Sequence, residues 1–480
     1  RGHGTVAHHE AHAAISSKGG QGMNEQAKQT SSGVCAYLKK LGYDTVDAEY
    51  YKTIQNWMDW YMNSLDDNHK TQYWNGVAVR SRVIKSLGMA KTVCETWANL
   101  LMNEKVQIAI EPEIVNTRIH EILDANDFEG NTNELCEKYC ALGSGAFLEY
   151  MKDDEIFVDY IMANMIYPLS WDSTGIKECA FASQRHDKSI GDYLYIQMHV
   201  MDERGMYQIE NHMIQIKASG SFDELPLPEG MEPVTYLNTD IPLFQIVKPK
   251  QVNNVDIYNP MGISVYANAI DVLKEIDTTF DAFDSEVRTG RRHILMAGEG
   301  FTMDANGNQH NVIDDNEEVL RMVGEGGSDG GIELHDFSPS FRISELKEAL
   351  QFQLNLLSEK CGMGTNQYEF ATKGVKTATE VISEDSDMYS TLKKHEKPLD
   401  MAIRGMIRAI GYLMGTDIKY EDIQIDFDDS IIEDKETERK NDQTDLANGT
   451  LRPEEYRSRW RNESLEEALK NLPQQADVLE

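Results

Sequence analysis

The chain has 480 residues, 26% of them charged, and 40% apolar residues, enough for more than one packed unit. Its 81 acidic residues outnumber 46 basic ones for a formal net charge of −35, which argues against ordinary nucleic-acid binding, where Lys and Arg neutralise phosphates. No run approaches eighteen uncharged apolar residues, so no membrane span and no membrane partner is predicted. The six cysteines form no disulfide framework and read as reduced thiols.

Residues 1–22 carry no initiator Met, and Met23 offers a natural start. His8, His9, Glu10 and His12 could gather a metal, but Gly and Ser surround them. A flexible extension or added leader over 1–32 is the stronger expectation.

From Val46 to Leu65 aromatic residues recur at helical spacing. Leu87, Cys94, Ala98 and Leu101 mark an amphipathic helix that runs into the alternating strand VQIAI, 106–110. Helices are predicted over Thr117–Asn126 and Asn133–Ala141. Cys136 and Cys140 sit one turn apart as a metal pair could, but no second pair accompanies them and LCEKYCAL reads as an apolar face. The glycines of GSGAF, 143–147, fit close backbone packing and no phosphate loop; G-x-x-x-x-G-K-[ST] is absent.

Short strands follow around an Asp153–Asp154 turn. Glu178–Ile216 reads as a β-meander with an Arg204–Gly205 turn, and residues 221–237, rich in Pro and Gly, as a loop. The next helix, 262–290, carries Ile270, Leu273, Ile276, Phe280, Phe283 and Val287 on one face. Asp271, Glu275, Asp281 and Asp284 lie on the other, and the helix is roughly 40 Å long. It ends at Gly290. Short strands come next, with a hairpin at DANGN, 304–308, and a flexible GEGGSDGG, 324–331. A helix over Ser344–Cys361 shows Leu346, Leu350, Leu354 and Leu357 on one face. The small β module is the only link between these two helices, so they run antiparallel with the module at their tip. The polar loop from Gly362 ends at KTATE, where Thr377 and Glu380 form a capping-box pattern. Gly362 and Gly364 are read as loosening the start of that loop. Pro398 interrupts the following helix, yet the apolar stripe resumes at Leu399, Ile403, Ile407 and Ile410. A kinked helix, or two helices meeting, is predicted.

Several stretches resemble portal proteins of tailed bacteriophages, of the type found in siphophages of Gram-positive hosts. They are SLGMAKTVCETWANLLMNE (86–104), NPMGISVYANAIDVLKEIDTTFDAFDSEVRTGRRHI (259–294) and KTATEVISEDSDMYSTLKKHEKPL (376–399). IQIDFDDSIIEDKETE (423–438) and LANGTLRPEEY (446–456) complete the set. The resemblance implies an α+β portal fold with wing, two-helix stem, small β-containing clip, tunnel loop and helical crown. Residues 1–32 would be the extension, 33–263 the first part of the wing, 264–290 the first stem helix and 291–343 the clip. Residues 344–361 would be the second stem helix, 362–376 the tunnel loop, 377–429 the rest of the wing and 430–480 the crown.

It further implies a homo-oligomeric ring, usually of twelve, at the portal vertex of the virion head, assembled in the host cytoplasm. Double-stranded DNA would pass through the ring without sequence specificity. Terminase, major capsid and scaffolding proteins and a head–tail adaptor would be the partners. ATP hydrolysis would belong to the terminase, in keeping with the missing phosphate loop. Asn366, Gln367, Lys373 and Lys376 would face DNA from the tunnel loop, the lysines making weak, salt-screened contacts. No catalytic residue, metal or cofactor is implied. Asp314–Asp315 and Asp428–Asp429 are paired acids that carry little information in so acidic a chain. The rival readings are another ring-forming head–tail connector and an acidic carboxylate-dependent hydrolase.

Overall fold

The computed structural model describes residues 20–65, 69–74, 79–102, 106–217, 221–289, 293–297, 302–303, 309–310, 319–322, 334–337, 341–365, 367–368, 378–427, 435–461 and 465–470. The described helices are α1 (Gly20–Lys40), α2 (Ala48–Tyr61), α3 (Met89–Leu101), α4 (Glu113–Ala125), α5 (Phe128–Leu142) and α6 (Ile270–Thr289). They continue with α7 (Ile343–Lys360), α8 (Ala378–Met414), α9 (Lys435–Asn448), α10 (Pro453–Arg461) and α11 (Leu465–Lys470).

The body is layered. A hairpin of Gly145–Lys152 and Glu155–Met162 turns at Asp153 and Asp154, both left-handed, the conformation a two-residue hairpin turn requires. Phe244–Val247 pairs with its other edge and completes a three-stranded sheet. One face of that sheet meets a second, larger sheet: Phe244 packs edge-on against Phe181, His199 and Tyr207 at 5.4–6.2 Å. The opposite face carries α5 and α8. Gly145 on this face lets Leu135 and Tyr139 of α5 approach to near contact.

The larger sheet is an antiparallel meander of Ile166–Asp172, Gly175–Asp187, Gly191–Met201 and Tyr207–Ile216. The Arg204–Gly205 turn is held by Asp202, whose carboxylate accepts from the Arg204 and Met206 amides at 2.8 and 3.0 Å. Two short strands, Phe222–Leu225 and Val234–Tyr236, share the outer edge of Tyr207–Ile216. The loop expected over 221–237 is therefore partly strand. Prolines 226, 228 and 233 confine pairing to the two ends, and the exposed strand edge supplies the hydrogen bonds.

The N-terminal boundary also differs from expectation. Helix α1 begins at Gly20, inside the segment read as a flexible extension, and runs unbroken past residue 32. Its Val34, Tyr37 and Leu38 are buried, with Tyr37 set edge-on to Phe222 and hydrogen-bonded to His212 at 2.9 Å. Apolar burial beyond residue 32 thus organises a helix that starts well before it. His8, His9, Glu10 and His12 lie outside the described residues.

Helix α2 is capped by Asp47, which accepts from the Glu49 amide at 2.9 Å, and buries Tyr50, Tyr51, Ile54, Trp57 and Trp60. Gly143 ends α5 in a left-handed conformation, back to back with Gly262; a Cβ there would lie 2.3 Å from the Gly262 carbonyl oxygen. The close packing read from GSGAF is real, and its partner is the segment leading to α6. Cys136 and Cys140 are buried on α5 beside Leu135 and Tyr139. Helix α8 continues through Pro398 as one element of 37 residues. Its C-terminal end leads to strand Ile423–Asp426, which pairs with Gln107–Ile110 and ties the late chain to the early one. No helix among the described residues is long and apolar enough to cross a membrane.

Candidate functional site

Helices α6 and α7 pack against each other. Arg342, just before α7, donates to the Glu286 carboxylate near the end of α6 at 2.8 and 3.2 Å. At the other end of α7, Leu354, Leu357 and Cys361 enter the core with Val272, Leu273 and Ile276 from the start of α6. The pair is therefore antiparallel. Between the two helices, His293–Ala297 pairs in parallel with Val319–Met322 and antiparallel with Leu334–Phe337. Thr302–Met303 pairs with Gln309–His310, giving the two strands of the hairpin expected around 304–308. GEGGSDGG lies outside the described residues. Toward this β insertion the pair thins: Val287, Phe341 and Ile343 are exposed, as is Phe352 halfway along α7.

The middle of α6 is clamped to the body by a column of acids. Asp277, Asp281 and Asp284 recur at intervals of four and three, which sets them on one helix face. Asp277 pairs with His69 at 2.8 Å, both buried, and accepts from the Leu87 amide at 2.8 Å. Arg82 grips Asp281 through two nitrogens, and Lys85 reaches Asp284 at 2.6 Å. Arg82 lies on the hairpin Lys70–Trp74/Val79–Val83. The acidic face of this helix, read from sequence only as the face opposite the apolar one, is here a docking face, and Asp281 is buried. Burial is tolerated because a fork of guanidinium donors and the Lys85 amide at 3.2 Å satisfy its oxygens. The sequence offered one signal, the matching three-residue spacing of Arg82/Lys85 and Asp281/Asp284, but nothing in it says that the two segments meet.

The far end of α7 anchors the segment expected to be the tunnel loop. Gly362 is left-handed (φ +80°), its amide bonds to the Glu359 carbonyl at 3.0 Å, and the Met363 amide bonds to Ser358 at 2.9 Å. This double bond closes the helix in a Schellman motif, with Met363 buried. Gly362 and Gly364 were expected to loosen the loop; instead Gly362 fixes its direction of exit. The Trp97 indole donates to the Cys361 carbonyl at 3.2 Å, and Trp97 packs edge-on against His395 of α8 at 5.0 Å. His395 in turn accepts from the Lys250 amide at 3.0 Å. Its pKa is lowered to about 4, chiefly by burial and secondarily by Lys394. Tyr368 returns to this hub, with its hydroxyl 3.4 Å from Thr96 and its carbonyl accepting from Gln351 at 3.2 Å. Gln367 is exposed in the turn beside it. Asn366, Lys373 and Lys376 lie outside the described residues, so of the four sequence-derived DNA-facing residues the structure places Gln367 alone.

No catalytic constellation accompanies these features among the described residues. Asp314–Asp315 and Asp428–Asp429 fall outside them. Burial pushes the Cys136 and Cys361 thiols up to about 12, far from nucleophilic thiolates. No group of three or more metal-ligating side chains occurs among the described residues. Two shallow hollows, of about 630 and 460 Å³, lie side by side along the start of α4 and the chain after α8. They are lined by carboxylates, aliphatic groups, Thr117, Thr416 and Arg118, with no cysteine, serine or histidine among the lining residues.

The described residues thus form a layered helix-and-strand body that carries an antiparallel helix pair with a β insertion between them. The family model "Phage portal protein, SPP1 Gp6-like" matches residues 43–475. The chain belongs to this family: it has the phage portal fold and is a non-enzymatic portal-ring component of the head vertex of a phage-like particle. A comparison with curated proteins gives no match. Among solved structures, the neck of an empty GTA particle computed with C6 symmetry is similar, with a TM-score of 0.45 and 10% identity over 77% of this chain and 88% of that one. The neck of the native GTA particle computed with C12 symmetry gives 0.44 and 9% over 87% and 99%. The assignment rests on the family match.

Proposed function

We propose that twelve copies of the chain form the ring and that double-stranded DNA passes through its centre during packaging and ejection. Terminase and a head–tail adaptor dock on it, and major capsid and scaffolding proteins surround it during assembly in the host cytoplasm. The parent particle is a siphophage of a Gram-positive host. In this reading α6 and α7 are the stem and the intervening β insertion, 291–343, is the clip. The body from α1 to residue 263, with α8 and the strand after it, is the wing. The segment 362–376 is the tunnel loop, and α9–α11 belong to the crown.

The observation that carries the reading is the α6–α7 pair. It is clamped along the middle of α6 by Asp277, Asp281 and Asp284, yet it leaves Phe352 of α7 exposed. A helix pair fixed so firmly and covered so poorly calls for neighbours on its flanks, which a closed ring supplies. Electron microscopy of the purified chain tests this: twelvefold rings with a channel wide enough for duplex DNA are expected. A stable monomer at micromolar concentration across a range of salt would overturn it.

A further inference from the structure

Between strand Phe244–Val247 and α6 the chain makes an unusual display. Val252, Ile257 and Tyr258 are 83%, 70% and 84% exposed, and Val255 is exposed as well. The loop that carries them is nonetheless tightly built. The Asn253 amide donates to the Tyr50 hydroxyl at 2.9 Å and to the Met261 carbonyl at 3.0 Å. Its oxygen accepts from the Val255 and Asp256 amides at 3.1 and 2.9 Å. Asn259 accepts from Met261 at 3.0 Å, and Asn254 donates to Asn268 at the root of α6 at 2.8 Å. A loop organised by its own buried amides holds an apolar cluster in water, ready for a partner without further ordering cost.

We infer that this cluster is a latch that seats on the neighbouring copy's α7, against Phe352. The inference rests on the portal-ring reading and deepens it. Three observations select this occupant. First, charge: the chain carries −35, so two copies repel at long range, which favours a contact between them with few charges at its centre. The loop tip meets that need, because its one charged side chain, Asp256, accepts from the Tyr258 amide at 3.2 Å. A cationic partner would find little to pair with. Second, ring geometry: contacts around a ring are heterologous, so the latch must meet a different face of the next copy. Third, height: the loop is bonded to Asn268, and the 3₁₀ turn Ala267–Ala269 there packs against α7. Phe352 lies nine residues before Cys361 on that same helix, roughly 13 Å along its axis. It is 69% exposed, the most exposed large apolar side chain of α7.

The test is crosslinking of the full chain carrying Ile257→Cys and Phe352→Cys together, treated with a short bismaleimide. Native thiols interfere little: five cysteines are buried, and Cys35 is pushed up to about 12, first by burial and then by Asp47. A ladder of covalent oligomers from the double variant, and none from either single variant, is the expected result. Rings visible by electron microscopy without a ladder would overturn the latch and leave the portal reading intact. Absence of rings from the parent chain would overturn both. Ile257→Ser with Tyr258→Ser gives an independent arm, since neither side chain is part of the loop's internal bonding. Its rings should dissociate at a protein concentration at least tenfold higher than the parent's, with unchanged circular dichroism. Dissociation at the parent's concentration would overturn the latch.

Discussion

Arg82 holds Asp281 with two guanidinium nitrogens, at 2.7 and 2.6 Å, across nearly two hundred residues of chain. The arginine is partly exposed while the aspartate is buried, so the two ends of the pair are unequal. Removing Arg82 strands a buried carboxylate, whereas removing Asp281 frees an arginine that can reach water. Arg82→Ala is expected to lower stability by about 1–3 kcal/mol, discounted for the solvent around Arg82. Arg82→Lys should restore part of that as a single point contact. Urea unfolding of the variants, with fluorescence readout, checks the order.

Gly362 stands where no other residue fits well. Its φ of +80° disfavours any Cβ, and a Cβ there would lie 2.9 Å from the Thr391 methyl of α8. Gly362→Ala is expected to cost about 1–3 kcal/mol. Thr391→Ser removes the clashing methyl and should recover the steric part, leaving the backbone part. Hydrogen exchange at the Gly362 and Met363 amides is the local readout. An unchanged exchange rate in Gly362→Ala would show that the motif is not held by this glycine.

These residues also show what the sequence makes legible. Turns written in local chemistry are readable: Asp153–Asp154 and Arg204–Gly205 both sit where their residue types place them. Helices with a clear apolar stripe are readable too, as at α2 and α7. Asp281 was not readable, because an acid on a helix face looks solvated until Arg82 arrives from a distant hairpin. The strands at 222–225 and 234–236 were hidden for a similar reason. Their prolines and glycines mark a loop, and only the open edge of Tyr207–Ile216 converts its two ends. Of the expected DNA-facing residues the structure places Gln367, beside Tyr368, while Asn366, Lys373 and Lys376 remain a reading of sequence and family.

Glu149 is buried on the three-stranded sheet, and neither carboxyl oxygen has a hydrogen-bond partner. Burial raises its pKa well above the usual carboxylate range, which keeps it neutral in the folded chain. The unfolded chain ionises it near its ordinary value, so folding above that pH requires proton uptake. Its contribution to stability is thus full at low pH and is lost as pH rises toward the folded value. Glu149→Gln removes this penalty. The variant is expected to gain stability over the parent at pH 7 and to lose that advantage near pH 4, as measured by urea midpoints at the two values.

His395 works in the opposite direction. Held at about 4 in the fold against 6.5 for an ordinary imidazole, it is neutral when folded and charged when unfolded in mildly acidic solution. The unfolded chain then binds the extra proton, so stability falls as pH drops from 6.5 and levels off below 4. The full effect is about 3 kcal/mol. Many carboxylates titrate in the same window, so the measurement is a difference. His395→Gln keeps an acceptor for the Lys250 amide and should show a shallower loss between pH 6.5 and 4 than the parent. Parallel curves would remove His395 from the acid response.

The last prediction concerns Lys373 and Lys376, which lie in chain order between Tyr368 and α8. In a chain of 46 basic and 81 acidic residues, two lysines flanking Gly374 are a local exception. In the proposed ring they would recur around the channel. Each exposed lysine–phosphate contact is weak and screened by salt, with a Debye length of about 8 Å at physiological ionic strength. Weak contacts would suit the proposed sliding of DNA. Lys373→Glu with Lys376→Glu places like charge against phosphate at every repeat. Rings should assemble as before, because the clamp at Asp277, Asp281 and Asp284 and the hub at Trp97 involve neither lysine. DNA packaging or retention should fall, most at low salt where screening is least. The measurement is the length of DNA held in particles built with the double variant, compared across salt. Equal lengths at low salt would take these lysines out of the mechanism while leaving the family assignment untouched.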